Sequence, residues 1–466
     1  MASTIVSRTQ SGNESAAGRK TWTFSCWFKK TKIISGGSNQ ELFGSDSNGA
    51  RSNNFNIIDF NSNDHLDVNG YQSGVIFRKI TNRKFRDCNA WTHLVVAFDT
   101  TQSTADDRIK IYINGVRETS FSTSTNPPQD HQGKIFAQNK VHAFGRSGGH
   151  FDGLISHCHA TEGTAYAPTE FGETDSTTGE WKIKTNPSVS YGTNGFFLFK
   201  DDNSVNNQAG NSSGNFAVTA GTFTKTEDCP SNVFATLNPL TNWRGQSHIA
   251  AGALSKGNNT TGIGSSEKTL IASTIGVTSG KWYWEAKSDG VSKMFFGICN
   301  KNAFNDTSAP HDSAGYNGIY YYEAVPDFRA NTGDGSKTTG IASITSGDIL
   351  GFALDMDNWA LYIHKNGTYM NSGDPTSGSS KTGAISELFN YGTWYMRYNE
   401  EVFASCYVSS TSGSGTASYN FGNGYFGTTA VATNSGNGYQ DADGNGIMNY
   451  SVPTNYRCLC TKGLNQ

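Results

Sequence analysis

Asp441-Ala442-Asp443-Gly444-Asn445-Gly446 places oxygen-bearing side chains at the first, third and fifth positions of a short loop and Gly at the sixth. That is how a calcium-binding loop opens, with the Gly permitting its sharp turn. The bidentate acid that such a loop needs at its end is missing, and no helical pattern flanks it. Asp441, Asp443 and Asn445 are thus a weak calcium candidate, and a solvated Asp/Asn/Gly turn is the better reading. His157-Cys158-His159 lies on a predicted strand and could supply two zinc ligands from one face, but the sequence nominates no third. Glycan-cleaving enzymes need two carboxylates flanking the scissile bond, and alternation along one strand, as in Glu-x-Asp-x-(x)-Glu, would project them into one cleft. The chain has no such run. Asp59, Asp64 and Asp67, and Asp355 with Asp357, are expected around strand ends and turns. No Ser-His-Asp grouping stands out, and Gly413-Ser414-Gly415 lacks the helix and Lys of a phosphate cradle. The residues point to no catalytic group and no cofactor.

Aromatic side chains are the stronger functional candidates. Tyr320-Tyr321-Tyr322 and Trp394-Tyr395-Met396-Arg397-Tyr398 put more aromatic surface on alternating strand faces than one core face can bury. Aromatic rings stack on sugars and anchor interfaces, so Tyr320, Tyr321, Tyr322, Trp394, Tyr395 and Tyr398 are ligand-binding candidates. The competing reading is that these strands lie between two packed layers or at a subunit contact.

The elements that must position these residues are strands. Only 16% of the 466 residues are charged and the net charge is −3, so no electrostatic footprint for nucleic acid or an anionic membrane is visible. Gly (53 residues), Asn, Ser and Thr dominate while aromatics reach 12%, a composition of short strands joined by many polar turns. No window holds a capped 3.6-residue periodicity. No apolar run approaches the roughly 18 residues of a membrane span, and the first twenty residues lack a signal-peptide core. The eight cysteines are scattered. The one pair close in sequence, Cys458 and Cys460, would have Cα atoms about 6.6 Å apart on a strand, a poor geometry for a bridge. Reduced, mostly buried thiols are expected.

In the stretch Gly347 to Gly367, Leu350, Phe352, Leu354 and Met356 share one face of a predicted strand. Trp359, Leu361 and Ile363 share a face of the next, with turns expected at Asp357-Asn358 and at Asn366-Gly367. Gly280 to Lys287 reads as another strand, followed by Met294-Phe295-Phe296-Gly297-Ile298. Nearer the N-terminus, Trp22, Phe24, Cys26 and Phe28 alternate with Thr23, Ser25 and Trp27. Leu66-Asp67-Val68 runs into Asn69-Gly70, read as a further hairpin turn. Trp91 to Phe98, Ile109 to Gly115, Ala143 to Arg146 and Phe151 to Ile155 complete the pattern.

The ordered motifs SxWFK, WTHLVVxFD, IxIYINGV and FDGLI resemble the laminin-G/concanavalin-A-like jelly roll, and the later strands resemble the SPRY domain, a β-sandwich whose loops recognise ligands. The expected fold is all-β: two antiparallel, jelly-roll-like β-sandwich domains joined by a β-rich bridging segment. The expected boundaries are a laminin-G/concanavalin-A-like sandwich over 1–162 and a bridging region over 163–239 that packs partly on it. A SPRY-like sandwich follows over 240–425, then a C-terminal loop and last strand over 426–466. FGETDSTTGEWKIK, SYGTNGFFLFKDDNS, ATLNPL and YSVPTNYRCLCTKGL together resemble a family of marine tailed-phage virion proteins that join these two domain types. The ending departs from that family's pattern, with Pro453 alone and Asn455 before Tyr456, although Asn also tolerates a left-handed turn.

The resemblance implies a non-enzymatic virion structural protein, an exposed tail fibre or appendage that binds a host-surface glycan. Its implied partners are other virion proteins, the host receptor and further copies of itself, plausibly as a trimer, without nucleic acid or membrane insertion. It would fold in the bacterial cytoplasm and leave by lysis. A capsid decoration, a tail component without a receptor role and a polysaccharide depolymerase are the alternatives.

Overall fold

In a computed structural model of the chain, the described residues are 4–34, 36–46, 54–146, 149–200, 204–211, 213–241, 254–263, 269–290, 294–305, 318–322, 327–330, 342–387, 400–408, 415–431 and 438–464. They are nearly all β, with two short α-helices, Ala16–Lys20 and Thr461–Leu464. Among them no helix is long and apolar enough to cross a membrane. The chain divides into two compact units, one built from residues 1–225 with 229–231 and the other from 226–228 with 232–466.

The first unit is a two-sheet sandwich. Its eight-stranded antiparallel sheet runs, edge to edge, Phe121–Thr125, Val75–Lys84, His65–Gln72, Asn54–Phe60, Gln40–Asp46, Val141–Phe144, Ile5–Thr9 and Ala217–Ala220. The six-stranded sheet runs Phe196–Leu198, Gly153–Glu162, Thr21–Lys30, Thr92–Asp99, Ile109–Ile113 and Val116–Arg117. Alternation drives the packing, because successive strand residues face opposite ways. Trp22, Phe24, Cys26 and Phe28 turn inward with Leu94, Val96 and Phe98, and meet Phe43, Ile58, Phe60, Leu66, Val68 and Phe77 from the other sheet. Phe24 stacks on Phe43 at 4.8 Å. Each such side chain contributes roughly 1.5–3 kcal/mol on burial.

The second unit repeats the principle. Lys281–Ser288 pairs with Ile349–Asp355 and Gly415–Asn420 in the larger sheet, which also contains Leu254–Ser255, Thr260–Ile263, Ala360–Lys365 and Thr368–Tyr369. The smaller sheet holds Thr269–Val277, Val402–Val408, Met294–Asn300, Gly318–Tyr322 and Asp327–Ala330. Trp282, Trp284, Phe352, Leu354, Leu361 and Ile363 bury against Ile271, Phe296, Ile298, Ile319 and Tyr321.

Within the stretch 163–239, Phe196–Leu198 extends the six-stranded sheet, Ala217–Ala220 extends the eight-stranded one, and Phe234, Ala235 and Leu237 bury in the second unit. Three local expectations are corrected. Asn69-Gly70 lies inside a strand rather than at a turn. Gly is required there because a Cβ would sit 2.1 Å from the Phe77 ring, and the reversal falls at Ser73, with φ +54. Asn366-Gly367 does turn, with φ +49 and +87, but Trp359 adopts φ +57 within the preceding turn, so its strand starts at Ala360. The last strand shrinks to Arg457–Cys458, which pairs in parallel with Lys281–Ser288 before the helix Thr461–Leu464. Asn455 takes the left-handed conformation, with φ +67.

Candidate functional site

The outward face of the eight-stranded sheet gathers residues that are far apart in sequence. Register places Glu41 opposite Asp59 and Asp59 opposite Asp67, a row of three carboxylates across three adjacent strands. Asp59 is the penultimate residue of its strand and Asp64 occupies a turn, with φ +65, whereas Asp67 lies inside its strand, which corrects the expectation for that residue. The sequence conceals this because cross-strand neighbours share no linear spacing. Like charges directly opposite one another repel, and flanking cations offset this. Arg78 Nε and Nη2 donate to the Asp67 carboxylate at 2.6–3.1 Å, and Arg146 Nε donates to Glu41 at 3.1 Å. Asn39 Nδ2 donates to Asp59 at 3.0 Å. The hydrogen bond to Asp67, with the charges of Asp67 and Asp59, holds the Arg78 guanidinium above its ordinary pKa despite partial desolvation.

Beside this row the register sets Ile57 opposite Asn69 and Asn69 opposite Arg78, and then Phe55 opposite Tyr71. The Phe55 and Tyr71 rings stack at 5.3 Å with an interplanar angle of 9°. The carboxylates are buried, at 4% exposure for Glu41 and 2% each for Asp59 and Asp67, whereas 35% of the Arg78 side chain reaches solvent. Asn69 and Tyr71 are half-buried. What the face offers a ligand is thus an aromatic ring, an amide and a guanidinium fixed by the neighbouring Asp67 carboxylate. A polyhydroxylated ring fits that chemistry: apolar C–H faces stack on aromatics while hydroxyls bond to directional polar groups.

The opposite outer face, on the six-stranded sheet, is covered by the unit's own chain. Trp181, from the hairpin Gly172–Thr174/Trp181–Ile183, donates its indole N–H to His93 Nδ1 at 2.9 Å, and Trp27 stacks on His93 at 4.8 Å. His93 Nε2 is 2.9 Å from Ser25 Oγ. An indole only donates, so Nδ1 accepts, Nε2 carries the proton, and Ser25 is the acceptor. A histidine in that tautomer cannot take the serine proton, and burial pushes its pKa down to about 3. This Ser-His pair is structural. His159 is locked in the same way, bonded to Tyr191 OH at 2.8 Å and stacked on Phe197 at 4.0 Å. His157 sits at φ +46 and pairs with Ser156 Oγ.

The other nominated residues fare differently. Tyr320 and Tyr321 are wholly buried, which corrects their reading as exposed ligand-binding rings. Tyr321 enters the main core and donates to the Ala342 carbonyl at 2.8 Å, while Tyr320 packs on the sheet's other face with Phe295, Leu270 and Tyr407. The strand has both faces covered, so surplus aromatics signal layering. Tyr322 ends that strand, and Trp394, Tyr395 and Tyr398 lie outside the described residues. In the 441–446 loop, Asp441 accepts backbone N–H groups from Asp443, Asn445 and Cys458 at 2.7–3.0 Å, and Asp443 is bound to Arg457 at 2.6 Å. The acids close a turn and anchor the final strand. Among the described residues no group of three or more His, Cys, Asp or Glu could hold a metal ion.

Another buried carboxylate, Glu285 in the second unit, pairs with no cation among the described residues. It accepts from the backbone N–H of Asn449 and Tyr450 at 2.9 and 2.8 Å, from Asn420 Nδ2 and from Tyr283 OH. Burial pushes its pKa up to about 7 against those bonds. His364 Nδ1 accepts from the Gly367 N–H, so its Nε2–H faces Tyr283 OH at 2.7 Å. Gly351 makes room for this ring, since a Cβ there would lie 1.9 Å from Nε2.

Comparison with known proteins adds the following. No curated protein matches the sequence. Among solved structures, the SPRY domain of human HERC1 aligns with 16% identity over 39% of this chain and 96% of that one, with a TM-score of 0.27. A heptameric SAP-like pentraxin from Limulus polyphemus aligns with 11% identity over 36% of this chain and 72% of that one, with a TM-score of 0.26. Domain 4 of AbnA, a GH43 arabinanase from Geobacillus stearothermophilus solved with arabinotriose, aligns with 21% identity over 32% of this chain and 64% of that one, with a TM-score of 0.24. A family model described as the Concanavalin A-like lectin/glucanases superfamily matches residues 7–162. The first unit therefore carries a domain of the concanavalin A-like lectin/glucanase type, spanning residues 7–162.

Proposed function

We propose that this chain is a non-catalytic, glycan-binding structural protein of a tailed-phage particle, an exposed fibre or appendage that reaches the host surface. The observation that carries the binding half is the outer face of the eight-stranded sheet, where Tyr71, Asn69 and Arg78 stand beside the acidic row of a lectin/glucanase-type domain. The virion half rests on the motif resemblance across the chain. Avidity from a symmetric oligomer such as a trimer would raise binding above the affinity of a single glycan site.

The acidic row favours a second reading, a depolymerase, since paired carboxylates perform glycosidic cleavage. Against it, Asp67 uses both oxygens on Arg78 and Glu41 is bound to Arg146, so both carboxylates are already engaged by guanidinium groups rather than turned to a substrate. Incubation of the purified chain with host-surface polysaccharide separates the two. Retention of intact polysaccharide, lost in Tyr71→Ala, supports binding; release of reducing ends overturns the non-catalytic reading. Cryo-microscopy of the intact particle tests location, and density for this chain on the capsid rather than the tail would replace the appendage role with a decoration role.

A further inference from the structure

Two adjacent interior strands of the six-stranded sheet carry a thiol pair that the linear sequence hides. Cys26, on Thr21–Lys30, and Cys158, on Gly153–Glu162, stand 132 residues apart, yet their Sγ atoms are 2.9 Å from each other and both side chains are fully buried. Ser156 pairs with Trp27 and His159 with Ser25, so His157 and Cys158 together oppose the single residue Cys26. This is a β-bulge, with His157 held at φ +46. Without it, Cys158 would pair with Ser25 and face outward; the extra residue turns it inward beside Cys26. Non-bonded carbon atoms settle at roughly 3.5–4.0 Å, and sulfur is larger, so the two thiols are already pressed together. A covalent bond needs an approach to roughly 2.0 Å.

We propose that Cys26 and Cys158 are a cross-link site, oxidised to a disulfide that ties these two strands together. With a glutathione-type disulfide as oxidant, the Cys26 thiolate attacks one sulfur and expels a glutathione thiolate. The Cys158 thiolate then attacks the Cys26 sulfur of the mixed disulfide and expels the second. The protein loses two protons and two electrons, and one glutathione disulfide becomes two reduced glutathiones. The other cysteines are placed otherwise. Cys458 Sγ donates to the Asn445 carbonyl while Cys460 Sγ accepts from the Gly463 N–H, and Cys299 and Cys406 belong to different buried clusters.

The full chain is incubated with oxidised glutathione at rising urea, which opens the strand pair, then alkylated, digested and mapped by mass. The expected result is loss of two of the eight thiols together, a linked Cys26–Cys158 peptide pair, and an unfolding midpoint higher than that of the reduced chain. In Cys26→Ala, all seven remaining thiols should stay alkylatable. Eight free thiols in the wild type under every condition, or a bridge through any other cysteine, overturns the proposal.

Discussion

The two outer faces of the first unit share a fold and a core, yet they meet their surroundings in opposite ways. On the six-stranded sheet the chain returns and covers itself, and the polar groups beneath are neutral: His93 between Trp27 and Trp181, His159 between Tyr191 and Phe197. On the eight-stranded sheet the buried groups are carboxylates, two of them bound by the guanidinium groups of Arg78 and Arg146 and the third by the Asn39 amide. The difference follows from desolvation. A histidine under an aromatic cover is cheapest uncharged, whereas a buried carboxylate beside a half-exposed Arg gains short charge-assisted hydrogen bonds. A covered face is part of the core, and the proposed recognition falls on the face where Phe55 and Tyr71 flank the carboxylate row. Glu285 supplies a third case, a carboxylate buried among neutral donors.

The contrast can be broken at its strongest point by Trp181→Ala. The indole packs where a Cβ on Gly115 or Gly172 would lie 2.6 or 2.5 Å from it, so removal opens a void and leaves His93 Nδ1 without its donor. A loss of about 3 kcal/mol is expected in urea unfolding, at the low end for a Trp because the residue is half-buried. The His93 pKa should rise towards its ordinary value in an NMR titration while glycan binding persists.

Glu285 sharpens the comparison through pH. Burial lifts its pKa from 4.5 to about 7, so the folded chain holds the proton more tightly than the unfolded chain. The resulting stability is complete below pH 4.5 and is lost as pH rises through 7, a swing of up to about 3 kcal/mol. Urea midpoints measured across that window should slope for the wild type and flatten for Glu285→Gln; an unchanged slope in the variant would refute the assignment.

Arg78→Ala leaves Asp67 buried without its cation. Loss of a fully buried partner costs about 3–5 kcal/mol, and partial exposure of the guanidinium reduces this to about 2. Polysaccharide binding should disappear even where the variant stays folded, as judged by circular dichroism. Tyr71→Ala is the mildest change, about 1 kcal/mol from the lost ring stack. Its binding loss should exceed tenfold, so an affinity within twofold of wild type would place recognition elsewhere.

Much of the architecture was readable from residue order. Trp22 to Phe28 and Leu350 to Met356 alternate, and both strands bury the apolar set as expected. Asn366-Gly367 turns because both residues tolerate positive φ. The same rule misleads at Asn69-Gly70, where the glycine is needed for the Phe77 ring, a partner on the neighbouring strand. The tyrosines at 320 and 321 mislead for a related reason: alternation tells which face a side chain takes but not whether that face is covered.

What the sequence by itself determined is therefore local: which segments are strands, which face of each is apolar, and where many of the chain reversals fall, since these depend on period-two alternation and backbone preference. Only the tertiary structure decided that Glu41, Asp59 and Asp67 form one row, that Trp181 covers and bonds His93, and that Cys158 meets Cys26. Each of those depends on strand order and register, set by the packing of residues distant in the chain, and a single bulge reverses which side chains meet.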